Sequence, residues 1–158
     1  MVVAKNNEAH LALSEQLKER KASRRYYALV NGNVTEGGTV DKPISRHPKD
    51  RKKMAVVKGG REAVTHYNVL ENFGKYTLLE CVLETGRTHQ IRVHMSSIGH
   101  SLVGDRAYGI AKEKIKTDGQ LLFAKTIGFV HPKTGEYMEF SAELPDYFEE
   151  ILNKLRKV

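Results

Sequence analysis

The stretch Leu83-Glu-Thr-Gly-Arg-Thr-His-Gln-Ile-Arg-Val-His94 places two arginines, two histidines, a glutamine and two threonines around one glycine, and His100 follows shortly after. Donors and potential cations at this density suit an anionic, hydrogen-bonding partner such as RNA. Arg87, Thr88, His89 and Gln90 leave the glycine turn where a helix is expected to begin. Free backbone N–H groups and the helix dipole favour an anion at such a place. Arg92 adjoins Ile91, whose apolar stripe faces the core, so its guanidinium borders buried surface and needs a carboxylate or phosphate partner. A structural ion pair with one of the chain's own glutamates is the alternative. No carboxylate sits in a setting that resembles a nucleophile. There is no Gly-x-Ser-x-Gly elbow, and Gly37-Gly38 and Gly59-Gly60 lack the lysine–hydroxyl pattern of a phosphate loop.

The histidines raise the question of a metal. His89 and His94 are five residues apart and diverge on a helix, whereas zinc-binding helices use i and i+4. No cysteine or acidic cluster completes a ligand set, so neither metal nor cofactor is expected. A metal-dependent hydrolase using His66, His89 and His94 is the rival class of enzyme. Tyr26 and Tyr27 alternate across a strand, one facing the core and one the opposite side.

The elements that must hold these groups are those of an α+β domain with a mixed, largely antiparallel sheet and flanking helices. The chain has 158 residues, 40% of them hydrophobic and 28% charged, enough for one domain with a real core. Its formal net charge of +7 draws in phosphate backbones. The single cysteine, Cys81, cannot form an internal disulfide and fits a reducing cytosol; the apolar Met1-Val-Val-Ala4 is too short for a signal or a membrane span. A cytoplasmic monomer is expected.

Asn7 is expected to cap a helix running to about Arg20, with Ala9, Leu13 and Leu17 on its apolar face. Strands follow at 24–30 and 39–44. Residues 47–61 form a basic loop containing Lys49, Arg51, Lys52 and Lys53, and a hairpin spans 62–71 and 75–84. Ile91, Met95 and Ile98 mark a buried helical stripe stopped by Gly99. Strands over 120–130 and 137–142 precede a last helix from Asp146, whose Phe148, Ile151, Leu152 and Leu155 face inward.

Thr85-Gly-Arg-Thr-His-Gln-Ile-Arg-Val-His94, with Gly104-Asp105 and Tyr108-Gly109, resembles the long signature of the RluA/RluD-type pseudouridine synthases, which isomerise uridine in ribosomal and some transfer RNA. Arg24-Arg-Tyr-Tyr-Ala-Leu-Val-Asn-Gly32 resembles the family's active-site strand, and Asp41-Lys-Pro-Ile44, Ala63-Val-Thr-His-Tyr67 and Gly128-Phe-Val-His-Pro-Lys-Thr-Gly-Glu136 are also characteristic. Phe123 departs from the pattern, where histidine is usual. The resemblance implies a cofactor-free isomerase acting on a flipped uridine. It makes Tyr26 the tyrosine that stacks on the base and Arg92 the arginine that pairs with the catalytic aspartate. RNA contacts are implied for Arg24, Arg87, Thr88, His89 and Gln90, and for Lys49, Arg51, Lys52 and Lys53. The family's catalytic aspartate lies in an Arg-Leu-Asp motif, and none of Asp41, Asp50, Asp105, Asp118 and Asp146 follows Arg-Leu. Asp105 belongs to the separate Gly-Asp motif, where a structural turn is the simplest reading. The chain is therefore expected to be the C-terminal portion of a catalytic domain, inactive alone. The alternative is a non-catalytic RNA-binding module of the same fold.

Overall fold

A computed structural model describes residues 2–157. Its centre is a six-stranded sheet of β1 (Ser23–Asn31), β2 (Gly38–Asp41), β5 (Val64–Asn72), β6 (Tyr76–Leu83), β7 (Leu122–Val130) and β8 (Tyr137–Ser141). The strand order is β2-β5-β6-β1-β7-β8, and the pairings are antiparallel throughout. A second, two-stranded sheet pairs β3 (Ile44–Arg46) with β4 (Met54–Val56). Three helices complete the fold: α1 (Asn7–Lys18), α2 (Gln90–Ser97) and α3 (Asp146–Arg156).

Both faces of β1 and β6 are covered because their alternating residues are apolar on each side. Ala28, Val30, Leu79, Cys81 and Leu83 pack with Ile91 and Met95 of α2 on one face. Leu29 and Leu78 pack with Phe148 and Leu152 of α3 on the other. Each fully buried leucine, methionine or phenylalanine contributes about 1.5–3 kcal/mol. Burial first, and the Glu80 charge second, push the Cys81 thiol up to about 12, so it packs as a small hydrophobe.

Several boundaries differ from expectation. Asn6, not Asn7, caps α1, accepting from the Ala9 N–H at 2.8 Å. Leu17 is exposed and α1 buries none of its residues fully; its firmest tie is the Gln16 amide, bonded to both backbone groups of Val130 at 2.8 Å. Residues 2–4 pair with no strand among the described residues. The single strand expected over 39–44 is two, because Pro43 lies between them and lacks the N–H to continue the ladder. The basic loop is a hairpin: His47 Nδ1 accepts from the N–H groups of Lys49 and Asp50, and the Lys53 carbonyl accepts from the His47 N–H.

Candidate active site

Helix α2 positions the site because three of its faces are engaged at once. Ile91 and Met95 face the sheet, Val93 packs with Ile44 and Ala63 beside the small hairpin, and Arg92 and His89 turn toward Tyr108. The helix begins at Gln90, three residues later than the glycine turn implied. The left-handed backbone is at His89 (φ 56°, ψ 21°), not at Gly86. A Cβ at Gly86 would displace Nη1 of Arg24, the far end of a flexible side chain.

Gln90 corrects an expectation. It is 3% exposed, so its side chain does not stand at the surface as an RNA contact was expected to. Its carbonyl oxygen accepts from Thr85 Oγ1 and the Arg87 N–H, while its NH2 donates to the Val64 carbonyl and Thr65 Oγ1. It locks the turn onto β5. His94, 0% exposed, is likewise internal. Its Nε2 faces the Lys42 carbonyl at 2.9 Å, which can only accept, so the proton sits there and Nδ1 accepts from Thr65 Oγ1 at 2.9 Å. Burial lowers the His94 pKa and keeps the ring neutral.

Beyond α2 the chain is brought back under the helix by local signals. Gly99 (φ 87°) makes a Schellman turn, with the His100 N–H bonded to the Met95 carbonyl and the Gly99 N–H to Ser96. The Asn31 and Val103 N–H groups then bond to Ser101 and Leu29 carbonyls, pinning 101–103 to the end of β1. Gly104 (φ 76°) turns the chain so that Asp105 points at Arg92.

Arg92 is paired with a carboxylate of this chain itself, Asp105, where the resemblance implied the catalytic aspartate, and a tight intrachain bridge of this kind counts against that implied role. Nε donates to Asp105 Oδ2 at 2.7 Å and Nη2 to Oδ1 at 2.8 Å, with side-chain exposures of 14% and 0%. Oδ1 also accepts from the Ala107 and Tyr108 N–H groups, so the turn and the ion pair are one device. Burial alone would raise the Asp105 pKa, but Arg92 and the two backbone donors outweigh it and hold the carboxyl below its usual value. The same bond raises the pKa of Arg92. Nη1 of Arg92 has no partner among the described residues, so one edge of the guanidinium stays open to a further anion.

Tyr108 joins the parts. Its ring lies 4.9 Å from the Arg92 guanidinium carbon, and its hydroxyl is 2.8 Å from the Met54 N–H and 2.9 Å from His89 Nδ1. Arg24 and Tyr26 share the face of β1 covered by α2, since Tyr26 packs in the cluster holding Ile91 and Met95. Tyr27 faces α3, with Phe123 beside it. Arg24 Nη2 reaches the Glu84 carbonyl at 3.4 Å, and its buried Nε has no partner among the described residues. Arg87 is half-buried and donates to the Glu62 carbonyl; Thr88, Lys49, Arg51 and Lys52 are exposed, and Lys53 is half-buried. Among the described residues no group of three or more His, Cys, Asp or Glu is placed to hold a metal ion, and no helix is long and apolar enough to cross a membrane.

The motif Gly104-Asp-Arg-Ala-Tyr-Gly109 was thus more than a turn. The sequence signal for the pair was the Gly-Asp step following a glycine-stopped helix; nothing in spacing alone showed that the chain doubles back beneath Arg92.

The chain as a whole is similar to known proteins. The sequence pattern described as RNA pseudouridylate synthase matches residues 1–97. An uncharacterized RNA pseudouridine synthase of Bacillus subtilis is 51% identical across 99% of this chain and 52% of its own length. Ribosomal large subunit pseudouridine synthase D of Haemophilus influenzae is 46% identical across 99% of this chain and 52% of its own. The chain spans about half the length of the curated relatives it matches. The solved structure of human RNA pseudouridylate synthase domain containing 1 superposes with a TM-score of 0.78 at 26% identity, covering 99% of this chain and 74% of that one. By fold and by the match over more than half its residues, this chain belongs to the RNA pseudouridylate synthase family.

Proposed function

We propose that the protein carrying this chain isomerises uridine to pseudouridine in ribosomal RNA, as a cytoplasmic monomer without metal or cofactor. In this reading residues 1–158 are the C-terminal portion of its catalytic domain. The observation that carries it is Arg92, oriented by a buried aspartate with one edge unoccupied, on the helix that packs against the strand bearing Tyr26. The substrate class is supported by the names of relatives such as the Haemophilus influenzae enzyme.

The chemistry is an exchange of one glycosidic bond for another. The C1′–N1 bond of a uridine drawn from its stack breaks and a C1′–C5 bond forms; C5 loses its proton and N1 gains one. A carboxylate attacks the sugar or promotes loss of the base, and it comes from outside these residues, because no aspartate here follows Arg-Leu. The open edge of Arg92 holds that carboxylate ionised. Tyr26 stacks on the base and assists removal of the C5 proton. The β3–β4 hairpin and Arg87 take the phosphates.

The test is pseudouridine formation in ribosomal RNA, read by mass spectrometry of nucleosides. A longer form supplying an Arg-Leu-Asp segment forms it, Tyr26→Phe and Arg92→Ala each lower the rate by about a hundredfold or more, and residues 1–158 alone bind RNA without forming it. Formation by residues 1–158 alone refutes the placing of the carboxylate outside these residues, an Arg92→Ala rate equal to wild type refutes the role given to Arg92, and no formation by the longer form refutes the isomerase. Binding without isomerisation by the longer form leaves a non-catalytic RNA-binding module.

A further inference from the structure

We propose that Tyr108 is a positioning residue that ties the basic β3–β4 hairpin to His89 and Arg92, so that His89 meets RNA with Nε2–H outward as a fixed donor. The inference rests on the RNA reading above and deepens it by naming the atom that meets the RNA and what holds it.

Proton accounting fixes the direction of the chain of hydrogen bonds. The Met54 N–H can only donate, so the Tyr108 oxygen accepts it at 2.8 Å. The phenol hydrogen then needs an acceptor, and His89 Nδ1, 2.9 Å away, is the one within reach. Nδ1 must therefore be bare and the neutral ring carries its proton on Nε2. That nitrogen has no partner among the described residues and is not closed off from solvent. Burial and the neighbouring Arg92 charge lower the pKa of His89, so the ring remains neutral near physiological pH.

The remaining contacts make Tyr108 the hub. The His89 and Tyr108 rings lie at 73° to each other, with centroids 5.7 Å apart. The Tyr108 N–H is held by Asp105, and its carbonyl accepts from Ser96 Oγ. His89 also keeps a left-handed backbone that a non-glycine residue adopts at a cost, with no side-chain cap on the helix start. It aims the ring back at the phenol. The hairpin's Met54 N–H and the His89 ring thus meet on one hydroxyl, and Arg92 lies over the ring that carries it.

The experiment is 15N-histidine NMR of this chain near neutral pH, with His89 assigned by the signal that disappears in His89→Asn, and titration with a fluorescein-labelled oligouridylate. The wild type is expected to show His89 as the Nε2–H tautomer. Tyr108→Phe, which keeps the ring over Arg92, is expected to show both tautomers and about fivefold weaker oligouridylate binding, the effect of one hydrogen bond. A merely structural tyrosine would leave the tautomer unchanged. An Nδ1–H tautomer in the wild type overturns the proposal with no variant required. So does a Tyr108→Phe protein with unchanged tautomer or unchanged affinity. A wild type that binds no oligouridylate while showing the Nε2–H tautomer overturns the RNA reading, and with it the donor's role, separately from the Tyr108 tie.

Discussion

Replacing Asp105 with asparagine removes one charge from the site and almost no volume. The carboxylate is sealed from solvent and accepts four hydrogen bonds: Arg92 Nε and Nη2, and the N–H groups of Ala107 and Tyr108. An asparagine can keep Oδ1 for the turn and for Nη2. Its NH2 then faces Arg92 Nε, donor against donor, and an arginine whose side chain is only 14% exposed is left without a counter-charge. Removing one partner of a buried pair costs roughly 3–5 kcal/mol. Arg92 retains some water, which places the expected loss at the lower end, about 3 kcal/mol, and lowers Tm by about 6–12 °C for a chain of this length.

Urea unfolding followed by circular dichroism measures the loss, and a cycle with Arg92→Ala isolates the pair. The pH dependence supplies a signed check. Because the folded-state pKa of Asp105 lies below its unfolded value, its contribution is complete above about pH 4 and disappears as pH falls through the folded value. The gap between wild type and Asp105→Asn must narrow on acidification through that window. A loss below about 1 kcal/mol at neutral pH, or a gap that stays constant in acid, refutes the assignment of Asp105 as the anchor of Arg92.

Two further outcomes follow from the same geometry. His94 has a folded-state pKa lowered chiefly by burial, so the unfolded chain takes up its proton first as pH drops below about 6.5 and stability falls, by at most about 1.4 kcal/mol per pH unit. His94→Leu removes its share of that slope in urea midpoints measured against pH; a slope identical to wild type contradicts the buried neutral ring. In the hairpin, the triple change of Lys49, Arg51 and Lys52 to alanine reduces the dependence of RNA affinity on salt, by about 0.7 in the log–log slope for each single-strand phosphate that the hairpin no longer neutralises. An unchanged slope means that these exposed cations touch no phosphate.

The sheet was legible because its central strands are short apolar runs bounded by turn residues, as in Tyr76–Leu83 after Asn72-Phe-Gly-Lys75. The last helix was legible because Phe148 and Leu152 fall on one stripe. The small hairpin was not, since strands of three residues each, Ile44–Arg46 and Met54–Val56, are too short to carry a period. The side-chain roles of Gln90 and Asp105 were also hidden. Both are polar residues in a motif dense with donors, and composition assigns such residues to the surface. Gln90 instead satisfies four groups from the Thr85–Arg87 turn and β5, and Asp105 closes an ion pair thirteen residues from its partner. Tertiary return of the chain decides both, and no local pattern encodes it.

The Asp105 pair changes what Arg92 can do for a second anion. A guanidinium bound to a fully available carboxylate would be neutralised and would attract little more. Here the carboxylate shares Oδ1 with two backbone N–H groups, which draw on its charge and hold it in place. The guanidinium is fixed along its Nε–Nη2 edge, so its other edge is aimed without further loss of side-chain freedom when an anion arrives. An unpaired arginine would offer a stronger field but would have to be ordered at the moment of binding. On α2, orientation is supplied beforehand by Asp105 from below and the Tyr108 ring alongside, and the cost is a weaker pull on the incoming charge. That exchange favours a site whose anion is delivered by the fold itself, where attraction at a distance matters less than geometry on contact.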